Sequence, residues 1–353
     1  STYRNTDLEI LIATMNRNDL SFLEEMFQKK VNITTIWWGT GTYNVLSWLK
    51  DNENYNLAAI VTMSDSGGST WLLRDEFGVL PPGDIRRAIL ALSHESNILR
   101  KLFEYRFDKD SSVSWHTVGN LLLTALADIT GNFGDGIKEI NKMFKVRWKV
   151  IPVTMEQSNL CVELENGLKV CGETNIDVPA HDPNLRITNA LLEPEVKANP
   201  VAKWALENSD IIVIGPWDLY TSIVPNLLVK GVKKSIKNSN AKVVYFCNIM
   251  TKQGETTNFE VIDFVEVIEK YLGKGVVDYV VVNNGHISDY MIKKYKEIEG
   301  KKPVKIKEKD KKDLKEKSYK IVERDMLHEQ DFVRHSSKKI ASIIDDLVEG
   351  WIK

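Results

Sequence analysis

Four apolar runs, each ending in a polar loop, constrain the fold of this chain more than any other feature. They are Leu57-Ala-Ala-Ile-Val-Thr62, Asp210-Ile-Ile-Val-Ile-Gly215, Ala241-Lys-Val-Val-Tyr-Phe-Cys247 and Val277-Asp-Tyr-Val-Val-Val-Asn283. Short continuous runs of this kind, rich in β-branched residues, read as strands buried on both faces. Val31 to Ile36 reads as a further strand, running into Trp37-Trp-Gly-Thr-Gly41. Helical spacing fills 44–49, 84–105, 117–129, 221–238 and 260–272. Strands alternating with helices predict an α/β fold: a mainly parallel sheet with helices on both faces. Arg147 to Thr154 and Leu160 to Cys171 read as strands, the second broken by Glu165-Asn-Gly-Leu168, a hairpin signal that predicts a small antiparallel insertion.

The chain has 353 residues, 43% of them apolar, enough for a large core. Residues 1–30 read as an amphipathic helical extension and 31–353 as one α/β domain. Within it, 293–324 carries 14 Lys/Arg and 7 Asp/Glu and reads as a solvated segment of mixed charge, and 332–352 as a terminal helix. A net charge of −2 argues against a nucleic-acid partner. No run approaches the ~20 apolar residues of a membrane span, and no signal peptide is evident, so a cytoplasmic location is expected. Three cysteines fit a reducing compartment; Cys161 and Cys171, flanking the hairpin, read as buried or cross-strand thiols.

Five polar loops follow the strands, and in a parallel sheet they share one rim. Gly39-Thr-Gly41-Thr-Tyr-Asn44 is either a phosphate cradle, with amides of Gly39, Thr40, Gly41 and Thr42 facing outward, or a simple tight turn; Asn44 replaces the third glycine of a dinucleotide fingerprint. That departure disfavours an NAD-type oxidoreductase. Asp65-Ser-Gly-Gly-Ser69 offers Gly67, Gly68 and Ser69 for close backbone approach, with Asp65 as a metal or sugar-hydroxyl ligand or as a turn cap. In Leu80-Pro-Pro-Gly-Asp-Ile-Arg86, Asp84 is a natural cap. Arg86 opposes the helix dipole there, which suits a cation facing an anion. Gly215-Pro-Trp-Asp-Leu-Tyr220-Thr221-Ser222 and Cys247-Asn248-Ile-Met-Thr251 supply further hydroxyls and amides. No nucleophile triad is legible, and the catalytic residues stay unknown, with Asp65 and Asp84 as candidates.

These loops, with His116 and Gly119-Asn120-Leu121, Leu219 to Asn226, Gly254-Glu255-Thr256 and Arg334-His335, resemble the YvcK-like family of gluconeogenesis factors over about residues 32–345. That family is related to CofD, the 2-phospho-L-lactate transferase. The resemblance implies a Rossmann-like, three-layer α/β fold. It also implies binding of a UDP-sugar such as UDP-N-acetylglucosamine, and a role in cell shape and carbon metabolism. The expected partner is a small nucleotide sugar, with a homo-oligomer as the open question of assembly. The alternative it implies is a CofD-like transferase using a guanosine-diphosphate donor. No cofactor is certain; Mg²⁺ held by Asp65 is the candidate. Ser66 departs from a second Asp common in the family, and Phe264 from a His.

A larger departure is tryptophan. The chain has nine Trp and only 20 Gly. Trp37, Trp38, Trp48, Trp71, Trp115, Trp148 and Trp217 fall where the family usually has glycine. Where such a position needs φ > 0, a Trp costs ~1–3 kcal/mol. The reading drawn from this is that UGA codons, glycine in the source organism, are translated here as tryptophan; the rival reading is a protein whose site Trp has closed and that no longer binds nucleotide.

Overall fold

The computed structural model describes residues 30–36, 45–46, 48–94, 97–107, 114, 116–329 and 332–352. Seven strands form one sheet: β1 (Val31–Ile36), β2 (Tyr55–Val61), β3 (Lys149–Pro152), β7 (Ile211–Ile214), β8 (Lys242–Phe246), β9 (Tyr279–Asn283) and β10 (Lys320–Arg324). Its order is β10-β9-β8-β7-β1-β2-β3, and every neighbouring pair is parallel. The chain winds outward from β1 to β3, then returns to the other side of β1 and winds outward through β7 to β10. Right-handed crossovers put the helices of the two halves on opposite faces. The reversal lies between β1 and β7, where the loops leaving the strands diverge and open a crevice.

The burial pattern explains the apolar runs. All seven residues of β2 and all four of β7 are buried, so neither strand can alternate polar and apolar residues. The edge strand β10 carries Lys320, Glu323 and Arg324, charges that discourage further strand pairing. The charged segment 293–324 holds two helices, Asp289–Glu299 reaching into it and Glu308–Glu316 inside it, and β10. Its lysines pair locally, as Lys311 does with Glu323 at 2.9 Å.

A second sheet of β4 (Asn159–Leu164), β5 (Lys169–Cys171) and β6 (Ile187–Glu193) is the antiparallel insertion. Its β4–β5 turn uses Gly167 at φ 84°, and β6, like β10 in the segment read as solvated, is a strand the sequence reading did not identify. Cys161 and Cys171 stand opposite each other in register and are joined by a disulfide, so they are not the free thiols expected. Two further strands, β11 (Leu327–Glu329) and β12 (Val333–His335), pair antiparallel. The terminal helix therefore starts later than expected, at Ser337.

Other helices are shorter than their periodicity suggested. The 84–105 segment is two helices, Pro82–Leu92 and Asn97–Glu104. The 221–238 segment is a π-helical turn, Leu219–Ile223, followed by helices Val224–Leu228 and Val232–Asn238, the last two parted by Gly231 at φ 111°. No helix among the described residues is long and apolar enough to cross a membrane.

Among the tryptophans, Trp37, Trp38 and Trp115 lie outside the described residues, as does the expected N-terminal extension up to residue 29. The described residues with positive φ other than glycine are Lys145, Asn258 and Ser318. Backbone strain at φ > 0 is therefore not what sets Trp48, Trp71, Trp148 and Trp217 apart. Trp48 is exposed, whereas Trp148 is buried and its Nε1 donates to the Lys50 carbonyl at 2.9 Å.

Candidate functional site

At the carboxyl ends of β2 and β7, beside the switch point, lies a cavity of about 200 Å³. Asp65, Asp84, Glu173, Asp177 and Asp218 line it, with Arg87, Trp217 and the hydroxyl residues Thr62, Thr221 and Ser222.

The loop after β2 is organised by Asp65. Its Oδ1 accepts the Gly67 N–H at 2.9 Å and its Oδ2 accepts the Thr70 hydroxyl at 3.0 Å. Gly83 makes this approach feasible, since a Cβ there would come within 2.6 Å of Asp65 Oδ2. Gly68 and Ser69 open the helix Gly68–Phe77 that follows. Ser66, which replaces an expected acid, accepts the Thr174 N–H at 3.1 Å and so docks the helix Glu173–Asp177 of the insertion. Glu173 thereby brings a carboxylate to the cavity.

Asp84 sits in the first turn of the helix Pro82–Leu92 and is buried, with Arg87 Nη2 3.0 Å from its Oδ1. Burial holds the Asp84 carboxyl well above the usual carboxylate range; Asp65 adds to this and Arg87 opposes it. Burial, with Asp65 and Asp177 alongside, pushes Glu173 up to about 7. Burial is the largest cause at both, and the opposing charges of Arg87 at Asp84 and Lys252 at Glu173 do not offset it. The hard oxygen donors of these carboxyls match the ligand preference of Mg²⁺, so the residues present fit that ion.

Arg86 points elsewhere. It is buried, its Nε donates to Asn120 Oδ1 at 3.0 Å, and it packs over Gly119, where a Cβ would meet its Cδ at 2.6 Å. Burial, with Arg87 and Arg106 nearby, lowers it to about 10, so it stays cationic at neutral pH. The guanidinium lining the cavity belongs to Arg87, one residue on, a third of a turn around the helix.

The loops after β7 and β8 interlock. Gly215 takes φ 71° before the cis peptide to Pro216; a Cβ there would press on the Phe246 carbonyl at 2.7 Å. Glu255, fully buried, accepts the Tyr220 N–H at 3.0 Å and the Thr221 hydroxyl at 3.1 Å. Burial pushes Glu255 up, against the pull of Lys252. For Lys252, burial alone would lower the ammonium, but Glu255, Asp218 and Asp177 together raise it. Asn248 donates to the Trp217 carbonyl at 2.9 Å. Thr251 exchanges hydrogen bonds with the Lys302 backbone, so it braces the loop and stays out of the cavity.

Asp65, Asp84, Thr221 and Ser222 thus converge as the loop reading expected. Arg86 and Asn120 pair beside the cavity without lining it, Tyr220 is buried behind it, and Gly39, Thr40, Gly41, Thr42 and Asn44 lie outside the described residues.

The family model described as 2-phospho-L-lactate transferase CofD matches residues 33–327. The gluconeogenesis factor of Bacillus subtilis (strain 168) is 36% identical, over 91% of this chain and 99% of that protein. The chain belongs to the gluconeogenesis-factor group of the CofD family. The gluconeogenesis factor of Halalkalibacterium halodurans is 38% identical, over 90% of this chain and 96% of its own. A crystal structure of a Bacillus halodurans protein, titled a member of the upf0052 family, superposes with a TM-score of 0.83 at 38% identity, over 89% of this chain and 99% of that one.

In this CofD-family chain, sequence reasoning passed over Glu173, Asp177 and Arg87. Glu173 and Asp177 stand four apart, one helical turn, directly after the hairpin, so they share a face. Asp84 and Arg87 are an i,i+3 pair of opposite charge. Both signals are legible but common on solvated surfaces.

Proposed function

We propose that the cavity takes the sugar–diphosphate end of a nucleotide sugar of the UDP-sugar class together with Mg²⁺, and that through this binding the protein regulates carbon metabolism and cell shape. The observation that carries the reading is the lining of the cavity at the β1/β7 switch. Asp65, Asp84, Glu173 and Arg87 line it, while Thr62, Thr221 and Ser222 offer hydroxyls. A bare diphosphate would be repelled by such a surface, whereas one carried with a divalent cation would be held by it. At about 200 Å³ the cavity is smaller than the ~300–1,000 Å³ of whole-ligand pockets. It suits one end of an extended ligand, with the base lying along the strand ends. Mg²⁺ supplies charge neutralisation between the carboxylates and the phosphates. Asp65 and Asp84 would hold it, Arg87 would orient a phosphate oxygen, and Thr221 would contact sugar hydroxyls. The name the relatives carry, gluconeogenesis factor, supports the carbon-metabolism part.

Calorimetry with UDP-N-acetylglucosamine tests this. Binding heat is expected with Mg²⁺ and not with a chelator. No heat up to about 1 mM ligand, for the chain and for Trp217→Gly alike, would reject it.

The family description also supports a second reading, a CofD-like phospholactyl transferase. Here Asp65 and Asp84 would serve a transferring phosphoryl group, with developing charge stabilised at the same cation. Product formed from a guanosine-diphosphate donor and a deazaflavin acceptor with Mg²⁺ would favour it over the regulatory reading.

A further inference from the structure

A second acidic cluster, two of whose members line the cavity, has a different solution to its charge. Asp177, Asp218 and Glu255 each present an oxygen within 4.8 Å of the other two. They come from three separate stretches: the insertion helix Glu173–Asp177, the turn after β7 and the loop after β8. The Lys252 Nζ stands among them, 2.9 Å from Asp218 Oδ2, 2.8 Å from Glu255 Oε1, and hydrogen-bonded to Asp177 Oδ1. An ammonium has three N–H donors, and here each faces a different carboxylate. The side chain of Glu255 is fully buried and that of Lys252 is 17% exposed, so water screens these contacts little.

We propose that Lys252 is the resident cation of this cluster, a positioning residue whose ammonium does at the Asp177–Asp218–Glu255 cage what a divalent ion does elsewhere in acidic sites. It ties the hairpin insertion to the loops after β7 and β8, and so fixes the wall of the cavity that carries Asp177 and Asp218. Its ligand consequence, which rests on the nucleotide-sugar reading, is a division of labour. The external cation is confined to Asp65 and Asp84, and the wall that carries Asp177 and Asp218 needs none.

The test is to remove the ammonium and offer a metal. Lys252→Ala leaves three clustered carboxylates without their cation, and the full-length variant is expected to bind one more Mn²⁺ than the unmodified chain, counted by electron paramagnetic resonance. Its melting temperature should fall, and Mn²⁺ should restore it by more than it raises that of the unmodified chain. Adding Asp177→Asn to Lys252→Ala should abolish the extra Mn²⁺, and with less repulsion this double variant keeps the comparison available if the single one folds poorly. Equal Mn²⁺ counts in Lys252→Ala and the unmodified chain, or no restoration beyond it, would overturn the proposal, because three carboxylates that hold no divalent ion once the ammonium is gone are not a cation cage. An unmodified chain that binds no nucleotide sugar defeats the reading of the previous subsection and leaves the Mn²⁺ count to decide this one.

Discussion

The carboxylate of Glu255 accepts the backbone N–H of Tyr220 at 3.0 Å, joining the loop after β8 to the π-helical turn after β7. A side chain that fills a backbone donor and also pairs with Lys252 is sensitive to both shape and charge. Glu255→Ala removes both, and breaking a buried charged pair costs ~3–5 kcal/mol. Glu255→Gln keeps an acceptor for Tyr220 and is expected to lose less. Urea midpoints of the two variants check this, and equal losses would show that the hydrogen bond to Tyr220 contributes little.

Among the described tryptophans, Trp217 is the one that lines the cavity. Trp217→Gly should widen that space and tighten UDP-N-acetylglucosamine binding by about tenfold or more, ~1.4 kcal/mol. Trp148→Gly should instead destabilise the fold by ~3–5 kcal/mol, since that indole is buried and its N–H is satisfied. At position 148 the structure gives glycine no advantage. The coding DNA is the direct check on the codon reading: TGA is expected at 217, and TGG would remove that explanation.

Glu173 couples the cation to pH. Pushed up to about 7, it is partly protonated near neutrality, and a cation binds the deprotonated form. Mn²⁺ affinity should therefore strengthen as pH rises from 6 to 8, with proton release visible as a calorimetric heat that depends on the buffer. Glu173→Gln should bind more weakly and show a flatter profile. An unmodified chain whose affinity is flat over that range would contradict the assignment.

His335 gives a stability effect of opposite origin. Burial lowers it to about 4, with the Cys247 carbonyl 3.4 Å from its Nε2 pulling the other way. Between that value and the ~6.5 of an unfolded histidine, the unfolded chain binds more protons than the folded one. Stability should then rise with pH across this window and be lost as pH falls through it. His335→Gln should show a shallower loss between pH 6.5 and 4 than the unmodified chain, measured by urea denaturation at several pH values.

The sequence by itself determined six of the seven strands of the parallel sheet and the rim on which a site could form; the edge strand β10, charged and half-exposed, carried no apolar run to mark it. Runs such as Leu57 to Thr62 and Asp210 to Gly215 have no polar face, and only a sheet covered on both sides can bury them. It also marked Asp65, Asp84, Thr221 and Ser222, because each sits in a loop just past such a run or opens a helix beside one. Only the tertiary structure decided which neighbours meet there. Whether Arg86 or Arg87 turns toward the cavity depends on a rotation of about 100° per residue on a helix whose packing partner, Gly119, is far along the chain. Glu173 and Asp177 reach the site because the hairpin insertion folds back and docks on Ser66, and Lys252 finds three carboxylates, one on the insertion helix, one in the turn after β7 and one in its own loop. Local pattern records which face of an element is apolar; it carries no record of which polar groups distant segments bring together, and here those meetings set the charge of the site.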